Sequence, residues 1–172
     1  MSTFETISQF ARMLKNLDQW LQAATAHAQK KSFDPDVLGQ ARLAPDQYVL
    51  VQQVQAACDQ AKYAAAYLSG QKPPSHPDTE KTISELRTRI QTCVDYLGTF
   101  KASDFVGAEE RRVAPPWMQG NSVRGDQYMM RLAVPNFYFH VTTAYDILRH
   151  NGLELGKRDF IGVRNWTDFS DW

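Results

Sequence analysis

Apolar residues recur with a helical period along most of this chain. Ile7, Phe10, Ala11, Leu14, Leu17, Leu21, Ala24 and Ala28 keep one stripe, which predicts a first helix from about Thr3 to Lys30. A second stripe, Leu50, Val51, Val54, Ala57, Cys58, Ala61, Ala65 and Leu68, predicts a helix opened by Pro45 and Asp46 and stopped by Gly70. Its alanines let a neighbouring helix approach closely. The third helix is expected from near Thr79, with Ile83, Leu86, Ile90, Cys93, Val94 and Leu97 inward and Gly98 at its end. The last, Pro135 to Gly152, is the best punctuated: proline in the first turn, Arg149 and His150 at the negative end of the dipole, glycine just past the stop. Phe137, Val141, Ala144, Tyr145 and Leu148 make its stripe, and Phe139 on the other side calls for a second covering surface. This segment is expected to be a buried spine surrounded by the other three helices.

The connections differ in character. Residues 32–44 form a connector with one short turn starting at Asp34-Pro35-Asp36. Pro73-Pro74-Ser75-His76-Pro77 cannot be helical, and the length of this break suits a long crossover from one end of a bundle to the other. Between 102 and 133, Arg111-Arg112-Val113 and Ser122-Val123-Arg124 flank proline and glycine turns, which predicts a short irregular hairpin confined to an edge. Lying across the bundle's mouth, this insert would cover Trp117 and Met118. A short helix opened by Gly125-Asp126 then feeds the last one. The tail, 153–172, carries Phe160, Trp166, Phe169 and Trp172 and is expected to wrap an existing surface or a partner subunit rather than form an element. The reading is all-α: a single domain over 1–172, a four-helix bundle with an insert and a wrapping tail.

Charge narrows the function classes. Nineteen basic and nineteen acidic side chains balance, so nothing marks a nucleic-acid partner. No apolar run has spanning length and no leader is visible, so the expectation is a soluble cytoplasmic protein with no membrane role. Cys58 and Cys93 lie on apolar faces and read as reduced core thiols. His76, between prolines, reads as solvated, and Asp59 with Lys62 as a surface pair three residues apart.

The combination ARLAPDQ, QVQAACDQAK, RLAVPNFYFHVTTAYDILRHNG and LELGKRDFIG resembles a bacterial family of unknown function within the DinB/YfiT-like four-helix bundles. The resemblance runs from the first helix to about Gly162 and implies a DinB-like bundle that dimerises. In better-known relatives three histidines hold a divalent metal, one from the second helix and two from an H-x-x-x-H pair on the last, and some relatives transfer low-molecular-weight thiols. Carried over, His150 with Gly152 after it stands for the second histidine of that pair, Asp146 occupies the place four residues earlier, and Gln53 is the counterpart on the second helix. The implied Ni, Zn or Mn set of Asp146, His150 and Gln53 is therefore degenerate. Without a metal, Asp146 and His150 read as an i, i+4 pair near a helix end.

His140 stands about 15 Å along the helix from His150 and cannot share its ion. It reads either as a satisfied core imidazole or as a general base in a pocket between the second and last helices, lined by Gln53, Tyr138, Thr143 and Tyr145. No G-x-S-x-G elbow, phosphate-cradling glycine loop or C-x-x-C is present. Three functions stay open: a dimeric binding or structural module with a vestigial site, a metal-dependent thiol transferase or hydrolase, and a module that holds a small molecule without reacting it.

Overall fold

Local capping sets the helix ends. In the computed structural model, which describes residues 1–163, α1 spans Thr3–Lys31 and opens on a reciprocal cap in which Ser2 Oγ accepts from the Glu5 N–H and Glu5 accepts from the Ser2 N–H. The second helix, α2, covers Leu50–Ser69 and ends on left-handed Gly70. It starts five residues after Pro45: the chain makes a turn at 44–47 and the Leu50 N–H reaches back to the Ala41 carbonyl, so Pro45 and Asp46 serve a turn instead of a helix start. The third, α3, covers Ile83–Leu97 and begins after Thr82, whose hydroxyl accepts from the Glu85 N–H while Glu85 accepts from the Thr82 N–H. That Thr-x-x-Glu box overrides the acidic residues at 78 and 80, which belong to an extended strap over 70–82.

Four helices make the bundle: α1, α2, α3 and α5, the last spanning Val134–His150. The heaviest packing is α2 on α5, α1 on α3, α2 on α3 and α1 on α5, which places α2 and α5 side by side with α1 and α3 closing the ring. On α5, Phe137, Val141, Ala144, Ile147 and Leu148 are buried, and Phe137 stacks on Phe10 of α1 at 4.2 Å between ring centres. The spine is one-sided: Phe139 remains exposed, so the second cover expected over it is not supplied by this chain's described residues.

The insert contains a two-residue antiparallel pair, β1 (Arg112–Val113) with β2 (Val123–Arg124), in the register Arg112 to Arg124. Trp117 stays exposed at its tip instead of being covered. Directly after β2, α4 (Gly125–Tyr128) runs into a wide π turn over Met129–Ala133 and then into α5. Pro135 accounts for the wide turn, since it has no N–H to return to the preceding turn.

The tail forms an element after all. Residues Lys157–Ile161 make α6, whose carbonyls are held by buried side chains of α1: Asn16 Nδ2 donates to Phe160 O and Trp20 Nε1 to Asp159 O, each at 3.1 Å. Trp20 also stacks on Phe160 and meets Tyr145 edge-on. Trp166, Phe169 and Trp172 lie outside the described residues. No helix among the described residues is long and apolar enough to cross a membrane.

Candidate functional site

A cleft of about 730 Å³ runs along the outer face of α2, bounded by the N-terminal part of α5, the segment 40–49 and the strap. His140 lies at one end. Its ring is 8% exposed and borders the cleft, with Asn136 one helical turn before it. Gln53, on α2, has no exposed surface and joins the two helices. Its Nε2 donates to Tyr48 O at 3.1 Å, and its Oε1 is 2.8 Å from His140 Nδ1.

These two contacts fix a protonation pattern. Turning the Gln53 amide over would set its oxygen against the Tyr48 carbonyl, acceptor against acceptor, so Oε1 must face the imidazole. His140 Nδ1 therefore carries the hydrogen and donates it. Burial pushes the His140 pKa down, favouring the neutral ring. In that tautomer Nε2 has a bare lone pair, and among the described residues no donor meets it. The Tyr48 ring lies nearly parallel to the imidazole, 13° between planes and 6.3 Å between centres, and is itself exposed, forming one rim of the entrance.

The other end of the cleft is ionic. Asp59, Asp78 and Glu80 border it. Behind them lie Lys62, 1% exposed, and Arg89, 4% exposed. Lys62 Nζ is 2.6 Å from Asp59 Oδ1. The two terminal nitrogens of Arg89 reach Asp59 at 2.8 Å, Asp78 at 3.1 Å, Glu80 at 3.1 Å and the Pro77 carbonyl at 3.2 Å. Gln55 Nε2 holds the remaining oxygen of Glu80. Asp59 and Lys62 are thus part of a buried network that ties the strap to α2 and α3, not a surface pair. His76 is half-buried instead of fully solvated: its Nδ1 is enclosed with no partner among the described residues, and burial, with help from Lys62 and Arg89, lowers its pKa.

The structure brings Gln53 and His140 together and separates the other site candidates. Thr143 is buried on the same side of α5 as His140. Tyr138 turns away and packs edge-on against Phe10, and Tyr145 packs against Trp20 and Phe160, so neither tyrosine borders the cleft. Asp146 and His150 are exposed. At roughly 100° per residue they point about 120° and 80° away from His140 around the helix, and neither borders the cleft. With Gln53 spent on Tyr48 and His140, the set Asp146, His150 and Gln53 does not converge. Among the described residues no three His, Cys, Asp or Glu side chains gather to hold an ion. The donors present do not fit the divalent metal that a three-histidine bundle holds.

Residues 4–161 match the family described as Domain of unknown function (DUF1993). The chain belongs to this family. A crystal structure of a DinB family member protein from Shewanella denitrificans is 46% identical to it, with a TM-score of 0.88 over 93% of this chain and 91% of that one. The DUF1993 chain is thus an all-α, DinB-like bundle. No curated protein matches it.

Sequence reasoning missed Tyr48, Asn136, Asp78 and Arg89 as members of the site. The spacing Asn136-x-x-x-His140 was the available signal: it puts two polar side chains one turn apart on an otherwise apolar helix.

Proposed function

We propose that this DUF1993 chain is a binding module that holds a small molecule in the cleft between α2 and α5. The observation that carries the reading is His140: a buried, neutral imidazole whose tautomer Gln53 selects, with an unsatisfied Nε2 at the cleft. His140 borders the cleft, so a ligand donor there can take up the Nε2 lone pair and contribute a hydrogen bond to binding. A second copy of the chain is the further partner. Phe139 and Met130 are large, exposed and apolar, and a homodimer would cover them. The two free, buried thiols suit a reducing, cytoplasmic setting.

The same lone pair supports a second reading, catalysis in this cleft with His140 as general base. One experiment addresses both. A small-molecule library is screened by thermal shift, and each hit is repeated on His140→Ala and followed for turnover by mass spectrometry. Hits whose stabilisation disappears in the variant support the site, and a changed hit supports catalysis. Hits indifferent to His140 refute both. Light scattering of the wild type and of Phe139→Glu tests the dimer: a monomeric wild type ends that part.

A further inference from the structure

We infer that the cleft is built for a cationic, donor-rich small molecule, a primary amine in particular, and that it rejects anions. The inference rests on the cleft being a ligand site. Its basis is the direction of the ion pairs. Asp59, Asp78 and Glu80 border the cleft, whereas Lys62 and Arg89, which balance them, do not. The layer is oriented: its negative ends face the ligand space and its positive ends face the protein.

A ligand entering the cleft meets acceptors. Asp59 Oδ1 takes hydrogen bonds from both Lys62 and Arg89, and both oxygens of Glu80 are occupied. Asp78 is different. Among the described residues only its Oδ1 is bonded, to Arg89, and its side chain is 55% exposed, so Oδ2 is available to an incoming donor. At the far end, His140 Nε2 is a second waiting acceptor on a nine-tenths buried ring. Two open acceptors need two donors. A molecule with two amine groups supplies one N–H donor at each end, and its ammonium brings the charge that Asp78 favours. A carboxylate or phosphate would instead face three carboxylates, and Lys62 and Arg89 lie behind them. Among the described residues Arg42 is the one cation bordering the cleft, and its Nη1 is turned to the Pro45 carbonyl.

The test is calorimetric titration of the full chain at low salt with spermidine, citrate, mannitol, and magnesium and zinc chloride. Saturable spermidine binding is expected, weakened about tenfold or more by Asp78→Asn and by His140→Ala, a loss of roughly 1.4 kcal/mol or more. Glu154→Gln, an exposed acid outside the cleft, should leave it unchanged. Spermidine binding that survives Asp78→Asn, or falls equally with Glu154→Gln, overturns the inference as non-specific charge attraction. Citrate, mannitol or a metal salt binding in a His140-dependent way, with spermidine silent, overturns the inference and leaves the cleft as a ligand site. Silence from every probe counts against both.

Discussion

Replacing Arg89 with methionine should unfasten the strap that walls one side of the cleft. The side chain is almost fully buried and its terminal nitrogens hold Asp59, Asp78, Glu80 and the Pro77 carbonyl. Burial alone would lower its pKa, but Asp59 and Glu80 more than offset that and hold it above the ordinary arginine value. Methionine fills much of the volume but leaves Glu80, whose side chain is 13% exposed, with only Gln55, and Asp59 with Lys62 and a long contact to Tyr63. Removing one partner of a buried ionic network costs about 3–5 kcal/mol. For a domain of this size each kcal/mol lowers the melting temperature by about 2–4 °C, so the drop should be roughly 6–20 °C. Asp78→Asn, at the exposed edge of the same network, should cost under about 1 kcal/mol. Urea unfolding gives the stabilities, and hydrogen exchange over 70–82 shows whether the strap opens. If Arg89→Met lies within about 1 kcal/mol of wild type, or if α1 loses protection before the strap does, the network is not the fastening described.

Three further outcomes follow from the same geometry. Both His140 and His76 have pKa values lowered from 6.5, so the unfolded chain takes up protons first as pH falls; their contribution is intact above about pH 6.5 and is lost below it. Urea midpoints should therefore decline from about pH 7 to about pH 5.5, ahead of ordinary carboxylate titration, and a flat profile would contradict the buried-histidine account. Gln53→Leu removes the partner of His140 Nδ1 and of Tyr48 O, with an expected cost of about 1–3 kcal/mol; nitrogen NMR should show the His140 tautomer no longer fixed, and an unchanged spectrum would argue against Gln53 as its selector. Gly162→Ala places a methyl 2.6 Å from the Asn16 amide at a backbone φ of +79°, so α6 should detach and Trp20 fluorescence shift towards the exposed value; native Trp20 emission would contradict the docking.

How far the sequence could be read depended on the range of the interaction. The stripes on α1, α2, α3 and α5 are local periodicities that survive into the structure, because each face buries in the same bundle whichever helix covers it. Helix starts were harder. Pro45-Asp46 and Thr82-x-x-Glu85 are both legitimate opening signals, and only the second is used, since the Leu50 N–H finds the Ala41 carbonyl across a turn. The buried network was not legible: Asp59 and Lys62 look like any surface pair until Arg89, thirty residues later, closes over them. Tyr48 was invisible for a related reason, because its backbone carbonyl, and not its side chain, orients Gln53.

The relation between helix phase and resemblance decides the rest of the site. The H-x-x-x-H pattern of metal-holding relatives suggested Asp146 and His150 because a glycine follows His150. A glycine at a helix end has its own explanation, however: Gly152 adopts φ +91° just past the last turn, as a helix stop requires. It says nothing about which face meets α2. That face is named by the buried polar residue, and counting back one turn from His140 reaches Asn136 at about the same angle around the helix. An imidazole and an amide now occupy positions one turn apart, with a second amide across from them locked into selecting a tautomer. The Gln53 contact leaves the other ring nitrogen of His140 without a hydrogen beside the cleft, which is chemistry suited to receiving a proton donor.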